Sequence, residues 1–540
     1  MLSTRLHPAP QTWLAAGSWL ILVLVALYTR PLWPIDETRY AAVAWEMWLR
    51  GDFLVPYLNG EPYSHKPPLM FWLFQAGWWA FGVSDGWPRL VPSLFALANL
   101  LLTARLARLL WPRHETVARH VPLILLGCLL WTFFTTVTLF DMLLTCFTLL
   151  GLLGVVHAWR YGGKRGWLLL GAAIGLGMLT KGPVILLHTL PVALLAPWWT
   201  VDKPARSWKS WYAGLLLAIL LGIGITLAWA IPAALAGGKA YGHAIFWGQT
   251  ANRLVESFAH RRQWWWYMPL LPGLLFPWFV WPPLWRGLQR LWRESRCGAA
   301  NPGVRFCLAW MAPAFIMLSA ISGKQVQYLL PALPAFALLV SYAVFSGATE
   351  LRGKDGLLPG LGMLITGLVL VGLPYLAAHY PEPEWAAQIA PLAGIIIALA
   401  GILLILIPGK DAGRSTIMLS LASTLLMVML HWGVLRVAAP AYDVKAIGRY
   451  LHALQSAGTP IVHAGKYFGQ YQFLGRLEQP LQVIEHSGIE SWIKLHPQGK
   501  VITYSDDWRP PGNGKPEYTQ RYRGSTVTVW AYDAILSDKE

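Results

Sequence analysis

Residues 12–51 read TWLAAGSWLILVLVALYTRPLWPIDETRYAAVAWEMWLRG, and they place a long apolar run directly before a polar helical pattern. The run at 12–29 contains no charged residue and is close to the length of about 20 residues that crosses a bilayer core. Asp36 and Glu37 begin the next predicted helix, with Asp36 as its cap, and Arg50 marks its end. The sequence therefore predicts a membrane span followed by a helix outside the hydrocarbon core.

The rest of the chain repeats the apolar pattern of this first span. Of the 540 residues, 56% are hydrophobic and 13% are charged, whereas roughly a quarter of the residues in a soluble domain are charged. The net charge of +17 comes largely from short loops between apolar blocks, a distribution that sets membrane topology rather than nucleic-acid binding. We predict an α-helical polytopic membrane protein with about thirteen transmembrane helices. Their predicted positions are 12–29, 88–110, 121–139, 142–159, 167–180, 184–199, 211–235, 267–285, 304–320, 327–346, 357–376, 387–407 and 416–435.

Loop charges predict the orientation of these spans. With the N-terminus in the cytoplasm, the loops assigned to the inside hold more Lys and Arg than the loops assigned to the outside, as the positive-inside rule requires. An odd number of crossings then puts the C-terminus outside. Residues 67–83 are also apolar, but a crossing there would weaken the charge bias. We therefore expect this segment to be an amphipathic or re-entrant helix in the outer interface.

The character of the sequence changes after residue 436. Short alternating runs typical of strands occupy 465–475, 479–484, 499–505 and 525–532, and residues 442–458 have a helical pattern. We therefore divide the chain into a transmembrane catalytic domain at 1–436, with a first outer loop at 30–87, and a soluble α/β domain at 437–540. The second domain is expected on the outer face.

The first outer loop carries the leading candidates for a functional site. Asp36 and Glu37 could do no more than stabilise the start of the helix. However, they lie at the membrane boundary together with Arg39, which favours a functional role. Lys66 opens the apolar segment at 67–83, where its ammonium would reach a lipid phosphate. Ordinary snorkelling of the lysine is the alternative reading.

Later blocks add ionisable residues at their predicted outer ends. Asp141 and Lys181 interrupt apolar surroundings, where a charged side chain is costly unless it has a role. The later outer loops contribute further candidates for substrate binding: Arg253, His260, Lys324 and Tyr328. Because all of these positions share one face of the membrane, we expect them to form one site.

Carboxylates and cations on the outer face suit one class of reaction. No nucleotide pool exists outside the cytoplasmic membrane, so a sugar donor must arrive already activated and anchored in lipid. Lysine and arginine can neutralise a departing phosphate, while a carboxylate accepts the proton of an acceptor hydroxyl. The pattern therefore indicates sugar transfer from a polyprenyl phosphate.

Five short motifs resemble the aminoarabinose transferase and protein O-mannosyltransferase families, which are GT-C glycosyltransferases. They are DE at 36–37, HKPPL at 65–69, WPRLVPSLFAL at 87–97, TKGP at 180–183 and GKQVQYLLPALP at 323–334. The similarity extends over residues 10–345, and it implies a GT-C membrane fold with an outer C-terminal domain.

The resemblance also implies roles for individual residues. Asp36 corresponds to the general base, Asp141 to the second acidic position, and Lys66 and Arg253 to contacts with the donor phosphate, which Arg39 would supplement. The implied donor is an undecaprenyl-phosphate-linked sugar, and the implied acceptor is an envelope molecule such as lipid A, glycosylated with inversion at the bacterial inner membrane. No cofactor is expected.

Some alternatives stay open at this point. His65 stands where aminoarabinose transferases tend to carry an acid, so the sugar is not fixed. The C-terminal domain shows no motif of the family, so the acceptor is not fixed either, and a protein or glycan O-glycosyltransferase of the same fold is an alternative. A secondary transporter would hold its ionisable residues near the membrane midplane, and a scaffold would leave the acidic residues without a purpose. A divalent metal held by Asp36, Glu37, His65 and His260 is a further, weaker alternative.

Overall fold

The computed structural model describes residues 9–200, 207–248, 261–297, 301–347, 350–380, 383–407, 409, 411–510 and 514–536. Helices dominate the described part of the chain. Those of six residues or more are α1 Pro10–Thr29, α2 Asp36–Arg50, α3 Leu69–Phe81, α4 Gly86–Leu110, α5 Glu115–Leu126, α6 Leu129–Phe134, α7 Asp141–Tyr161, α8 Arg165–Lys181, α9 Val184–Leu194, α10 Trp208–His243, α11 Pro282–Arg296, α12 Pro302–Ala320, α13 Leu333–Phe345, α14 Leu357–Ala377, α15 Leu392–Leu406, α16 Ala412–Leu430, α17 Lys445–Ser456 and α18 Ile489–Leu495.

Eight helical segments among the described residues are long and apolar enough to cross a membrane. They are Pro10–Thr29, Gly86–Leu110, Asp141–Tyr161, Trp208–Trp247, Pro302–Ala320, Val326–Phe345, Leu357–Ala377 and Ala412–Ser456. The helices α9 and α15 are apolar but shorter. A polytopic helical membrane protein is therefore confirmed, whereas the count of thirteen spans stays a prediction.

Several of the predicted spans are not single continuous helices. The block at 121–139 is divided between α5 and α6, and the block at 267–285 consists of short turns such as Met268–Leu270 and Trp278–Val280 before α11 begins. Prolines at positions 269, 272 and 277 explain the second case, because each removes a backbone donor and restricts the residue before it.

Two segments form the centre of the bundle. In α7 and in Val326–Phe345, 83% of the residues in an apolar 18-residue stretch of each segment are buried inside the protein. Segments that are apolar on every side are expected in such a position. The start of α7 packs against the turn that leads into α13, so residues that begin these two segments are brought together at one end of the bundle. We call this end the site end and the opposite end the far end.

The chain between α1 and α4 forms a layer over the site end. It consists of α2, a small hairpin of β1 (Tyr57–Leu58) and β2 (Glu61–Pro62), and α3. The 13 residues of α3 extend over roughly 20 Å, which is short of the core thickness of about 30 Å. The segment at 67–83 therefore does not cross as one helix, and its place in the outer interface stays a prediction.

The C-terminal part of the chain is a small α/β unit, as predicted. Its strands are β3 Ile461–Ala464, β4 Gln482–Ile484, β5 Lys500–Tyr504, β6 Tyr518–Tyr522 and β7 Ser525–Trp530. Their order in the sheet is β4-β3-β5-β7-β6. Strand β3 pairs in parallel with β4 and β5, while β7 pairs antiparallel with β5 and β6.

The predicted strand at 465–475 is wrong. This stretch is a loop that ends in the single helical turn Gln472–Gly475. Gly465 and Gly469 have φ angles of 82° and 73°, in the left-handed region that interrupts extended backbone. The aromatic residues between them gave the stretch an alternating pattern, but its two glycines determine its conformation.

The C-terminal unit packs directly on the layer over the site end. The indole of Trp45 in α2 donates a hydrogen bond of 2.9 Å to the carbonyl of Leu477. Asp85, just before α4, accepts hydrogen bonds from Lys445 at 2.8 Å and from Arg476 at 2.6 Å. Burial raises the pKa of Asp85, but these two cations outweigh burial and hold the pKa below its usual value. The first loop and the C-terminal unit therefore lie on the same side of the bundle.

Candidate active site

Asp36 is the first residue of α2, and its side chain is 50% exposed. The cap position is occupied by Ile35, and no side chain caps this helix, so the predicted capping role of Asp36 is wrong. The carboxylate of Asp36 instead forms an ion pair with Arg39, one turn further along the helix. Asp36 therefore presents an accessible carboxylate beside a cation.

Glu37 points the other way and is buried. Its carboxylate accepts hydrogen bonds from the Arg30 guanidinium at 2.6 and 3.0 Å, from the Trp33 amide at 2.8 Å and from the Thr138 amide at 2.7 Å. Arg30 also donates to the carbonyl of Thr136. Burial raises the pKa of Glu37, but the charge and hydrogen bonds of Arg30 and the two amides outweigh it, so the pKa is lowered. Glu37 thus joins the end of α1, the start of α2 and the segment before α7.

Asp141 and Lys181 meet at the site end of the bundle. Asp141 is the first residue of α7 and Lys181 the last of α8, and their side chains form an ion pair of 2.6 Å between Nζ and Oδ1. Both side chains are largely buried. Gly182, with a φ angle of 74°, ends α8 and lets the chain turn towards α9. The Lys181 ammonium also lies 4.7 Å from the centre of the Tyr328 ring.

Phe140 connects this ion pair to the layer that carries Asp36. The buried ring of Phe140 packs edge-on against Tyr40 of α2 at 4.9 Å and against Phe71 of α3 at 5.8 Å between ring centres. The ammonium of Lys66 lies 5.6 Å from the same ring, and the Arg39 guanidinium lies 5.5 Å from the Tyr40 ring. Phe140 therefore connects the surroundings of Asp36 with those of Asp141, and Lys66 and Arg39 lie in the same aromatic cluster.

The remaining predicted residues differ in their surroundings. Arg253 and His260 lie outside the described residues. Lys324 is buried, and its ammonium donates to the carbonyl of Arg262 at 3.0 Å and to the carbonyl of Ile321. Lys324 thus holds two loops together at the site end. His65 is exposed, with its ring centre 5.2 Å from that of Tyr63.

The cations and acids of the site are nearly balanced. Asp36, Glu37 and Asp141 each have one cationic partner, and Lys66 adds a further positive charge. Within the part of the chain that the structure describes, no group of three or more His, Cys, Asp or Glu is arranged to hold a metal ion. The arrangement places cations beside the half-exposed Asp36, which is available as a proton acceptor.

Sequence reasoning missed several residues that build the site. Arg30 offered a usable signal, because it follows an apolar span and stands seven residues before Glu37. Tyr40 and Phe140 gave no distinct signal, because aromatic residues are frequent throughout this chain. Thr136 and Thr138 act through backbone groups, which any residue type supplies.

Comparisons with known proteins extend this description. Residues 65–229 match the family model of dolichyl-phosphate-mannose-protein mannosyltransferase. The undecaprenyl phosphate-alpha-4-amino-4-deoxy-L-arabinose arabinosyl transferase 2 of Pseudomonas fluorescens is 31% identical over 403 residues, which are 72% of this chain and 69% of the relative. The corresponding transferase of Pseudomonas paraeruginosa is 32% identical over 381 residues, 68% of this chain and 65% of the relative.

The fold is also similar to a solved structure over nearly the whole chain. ArnT from Cupriavidus metallidurans, crystallised with undecaprenyl phosphate, matches with a TM-score of 0.76 and 19% identity, and the match covers 96% of this chain and 98% of that protein. Its apo structure matches with a TM-score of 0.74. At this identity the likeness establishes the GT-C fold, including the C-terminal unit.

Proposed function

Because the chain belongs to the family of undecaprenyl phosphate-aminoarabinose arabinosyl transferases, which are membrane glycosyltransferases, we propose that it transfers a sugar from a polyprenyl-phosphate donor to an envelope acceptor such as lipid A. One observation carries the proposal. Phe140 directly precedes Asp141, which pairs with Lys181, and it contacts both Lys66 and Tyr40; Tyr40 in turn lies beside Arg39, the partner of Asp36.

Asp36 is the general base of this proposal. Its support is an accessible carboxylate at the edge of a site whose other two acids are buried. The acceptor hydroxyl oxygen attacks the anomeric carbon of the donor, and its proton passes to the Asp36 carboxylate. The bond between this carbon and the phosphate oxygen breaks with its electron pair on the phosphate. A single displacement of this kind inverts the sugar carbon.

Lys66 is proposed to receive the charge that develops on the phosphate, and Arg253 to assist it. The support for Lys66 is its half-buried position at the entrance to α3, beside Phe140. A preorganised cation is most effective where charge appears in the transition state. No divalent metal is required, because lysine and arginine can fulfil this role. Lys324 is a weaker candidate for substrate binding, since its ammonium already donates to two carbonyls.

Asp141 and Lys181 are proposed to bind the sugar hydroxyls as a fixed pair, with Tyr328 packed on the ammonium. Glu37 has a different role in this proposal. Its four hydrogen bonds favour a positioning residue that sets the distance between Asp36 and the start of α7. Asp141 is the next candidate for the base if Asp36 is not.

The site end is proposed to face the periplasm, with the N-terminus in the cytoplasm and the C-terminal unit outside. This orientation is supported by the excess of basic residues in the loops of the far end. The match of residues 65–229 to the mannosyltransferase model favours a second acceptor class, the hydroxyl of a protein or glycan.

Mass spectrometry of envelope lipids and proteins tests the proposal. Cells that carry the gene should contain a glycosylated lipid A that is absent from cells without it and from cells with Asp36→Asn. Glycosylation of a protein or glycan instead would select the second acceptor class. If no glycosylated lipid, protein or glycan depends on the gene, the proposal is refuted.

A further inference from the structure

The helix α11 lies at the far end of the bundle. Its Gly287 packs against the last turn of α13, where an added Cβ would lie only 2.3 Å from the carbonyl oxygen of Ala343. Because the chain before α13 begins at the site end, with Tyr328 beside Lys181, the last turn of α13 marks the opposite end of the bundle. α11 therefore lies against the far ends of the spans, where the edge of the hydrocarbon core is expected.

Two arginines hold α11 on the protein. Arg286 donates to the carbonyl of Glu350 at 3.1 Å and forms an ion pair with Asp355. Arg290 donates to the carbonyl of Ala343 and to the hydroxyl of Ser346, both at 2.9 Å. These two arginines and the buried residues beside them form the side of α11 that faces the protein.

The other half of α11 is an exposed stripe of tryptophan and arginine. Trp285, Gln289, Trp292 and Arg296 follow one another at spacings of four, three and four residues, so they share one face. Trp285 is 44% exposed and Trp292 60%. The Arg296 guanidinium lies 4.4 Å from the Trp292 ring centre, and Arg293 is exposed beside it. We call these five residues the Trp-Arg stripe.

A helix dipole alone does not explain the stripe. Cations are favoured in the last turn of a helix, which accounts for Arg293 and Arg296 but not for two exposed indoles on the same face. Tryptophan prefers the headgroup layer of a bilayer, and arginine forms charge-assisted hydrogen bonds with phosphate. From the place of α11 at the span ends and from the charge of the stripe, we propose that the Trp-Arg stripe binds the headgroups of anionic glycerophospholipids.

Lipid titration of the purified, full-length protein tests this proposal without any measurement of sugar transfer. Phosphatidylglycerol or phosphatidylcholine is added to detergent-solubilised protein, and binding is followed by native mass spectrometry. The main variant is Arg293→Gln combined with Arg296→Gln. The matched control is Arg105→Gln combined with Arg113→Gln, because these exposed arginines are at the same end of the bundle without an exposed tryptophan stripe.

We expect the wild type to bind phosphatidylglycerol more tightly than phosphatidylcholine. The main variant should lose roughly fivefold in phosphatidylglycerol affinity for each arginine removed, the scale for one basic residue near an anionic surface, while the control changes little. Trp292→Ala should weaken binding of both lipids. Wild-type affinity in the main variant would overturn the proposal, and a protein would then be the expected partner of the stripe. An equal loss in the control would overturn it as well, since net charge alone would then explain binding.

Discussion

Asp36→Asn and Glu37→Gln should separate activity from stability, although the two acids are neighbours. Asp36 is half exposed and pairs with Arg39 on its own helix. Glu37 is buried with Arg30, and both side chains are only 4% exposed. The first change removes a proton acceptor from the site, whereas the second removes the charge that compensates a buried guanidinium.

The structure gives different magnitudes for the two variants. Breaking a buried ion pair by removing one partner costs about 3–5 kcal/mol, so Glu37→Gln should lower the free energy of unfolding by that amount. Losing a partly exposed pair costs about 0–1 kcal/mol, so Asp36→Asn should unfold almost like the wild type. Loss of a general base reduces the rate by about 10² to 10⁴, and this reduction is expected for Asp36→Asn.

The assay combines transfer from a synthetic polyprenyl-phosphate sugar with unfolding of each detergent-purified variant. Glu46→Gln is the matched control, because Glu46 is also buried in α2 and pairs with an arginine, but Arg50 is 38% exposed and can regain water. Its stability loss should therefore be smaller than that of Glu37→Gln. Near-normal transfer by a stable Asp36→Asn protein would refute the role of Asp36 as the general base. Wild-type stability of Glu37→Gln would refute the stabilising role of the Arg30–Glu37 ion pair.

Three further predictions follow from the same structure. Lys66→Ala should lower turnover by about 10² to 10³, the scale for one preorganised contact; unchanged turnover in the folded, purified variant removes Lys66 from the site. Asp85→Asn should weaken the attachment of the C-terminal unit to α4, so limited proteolysis between α16 and α17 should become faster, and wild-type cleavage rates would contradict this. A reporter fused at Lys164 should be cytoplasmic and one fused at the C-terminus extracytoplasmic, and the reverse sidedness at either point would reject the proposed orientation.

Much of the fold was predictable because apolar blocks determine where helices lie in a membrane protein. The positions of α1, α4 and α7 follow directly from the hydrophobic pattern, since a lipid environment leaves few other structures for such runs. The break between α5 and α6 was not predictable from hydropathy, which does not distinguish one apolar helix from two. The strand β3 was missed because all four of its residues are buried, so it has no alternating pattern.

In the candidate site, the sequence indicated which ionisable residues stand at helix ends, but it did not indicate how they pair. Asp141 and Lys181 were both expected at outer helix ends, but their 2.6 Å ion pair depends on how α7 and α8 pack. The Arg30–Glu37 pair depends on the turn between α1 and α2, which no periodic pattern describes. Lys324 was expected to be available to substrate because it lies in a loop. Its ammonium instead donates to two backbone carbonyls.

The hydrogen bond between Trp45 and Leu477 joins residues that are 432 positions apart, and this distance has a consequence for biosynthesis. At translation rates of about 5–20 residues per second, α2 exists for roughly 20–90 seconds before its partner segment is made. During this interval the helix that begins at Asp36 can pack on α3 and Phe140, but it lacks its contact with the C-terminal unit. A chain that ends before the C-terminal unit is therefore expected to leave the Trp45 side of α2 uncovered, so this part of the layer over the site end is completed only when synthesis ends.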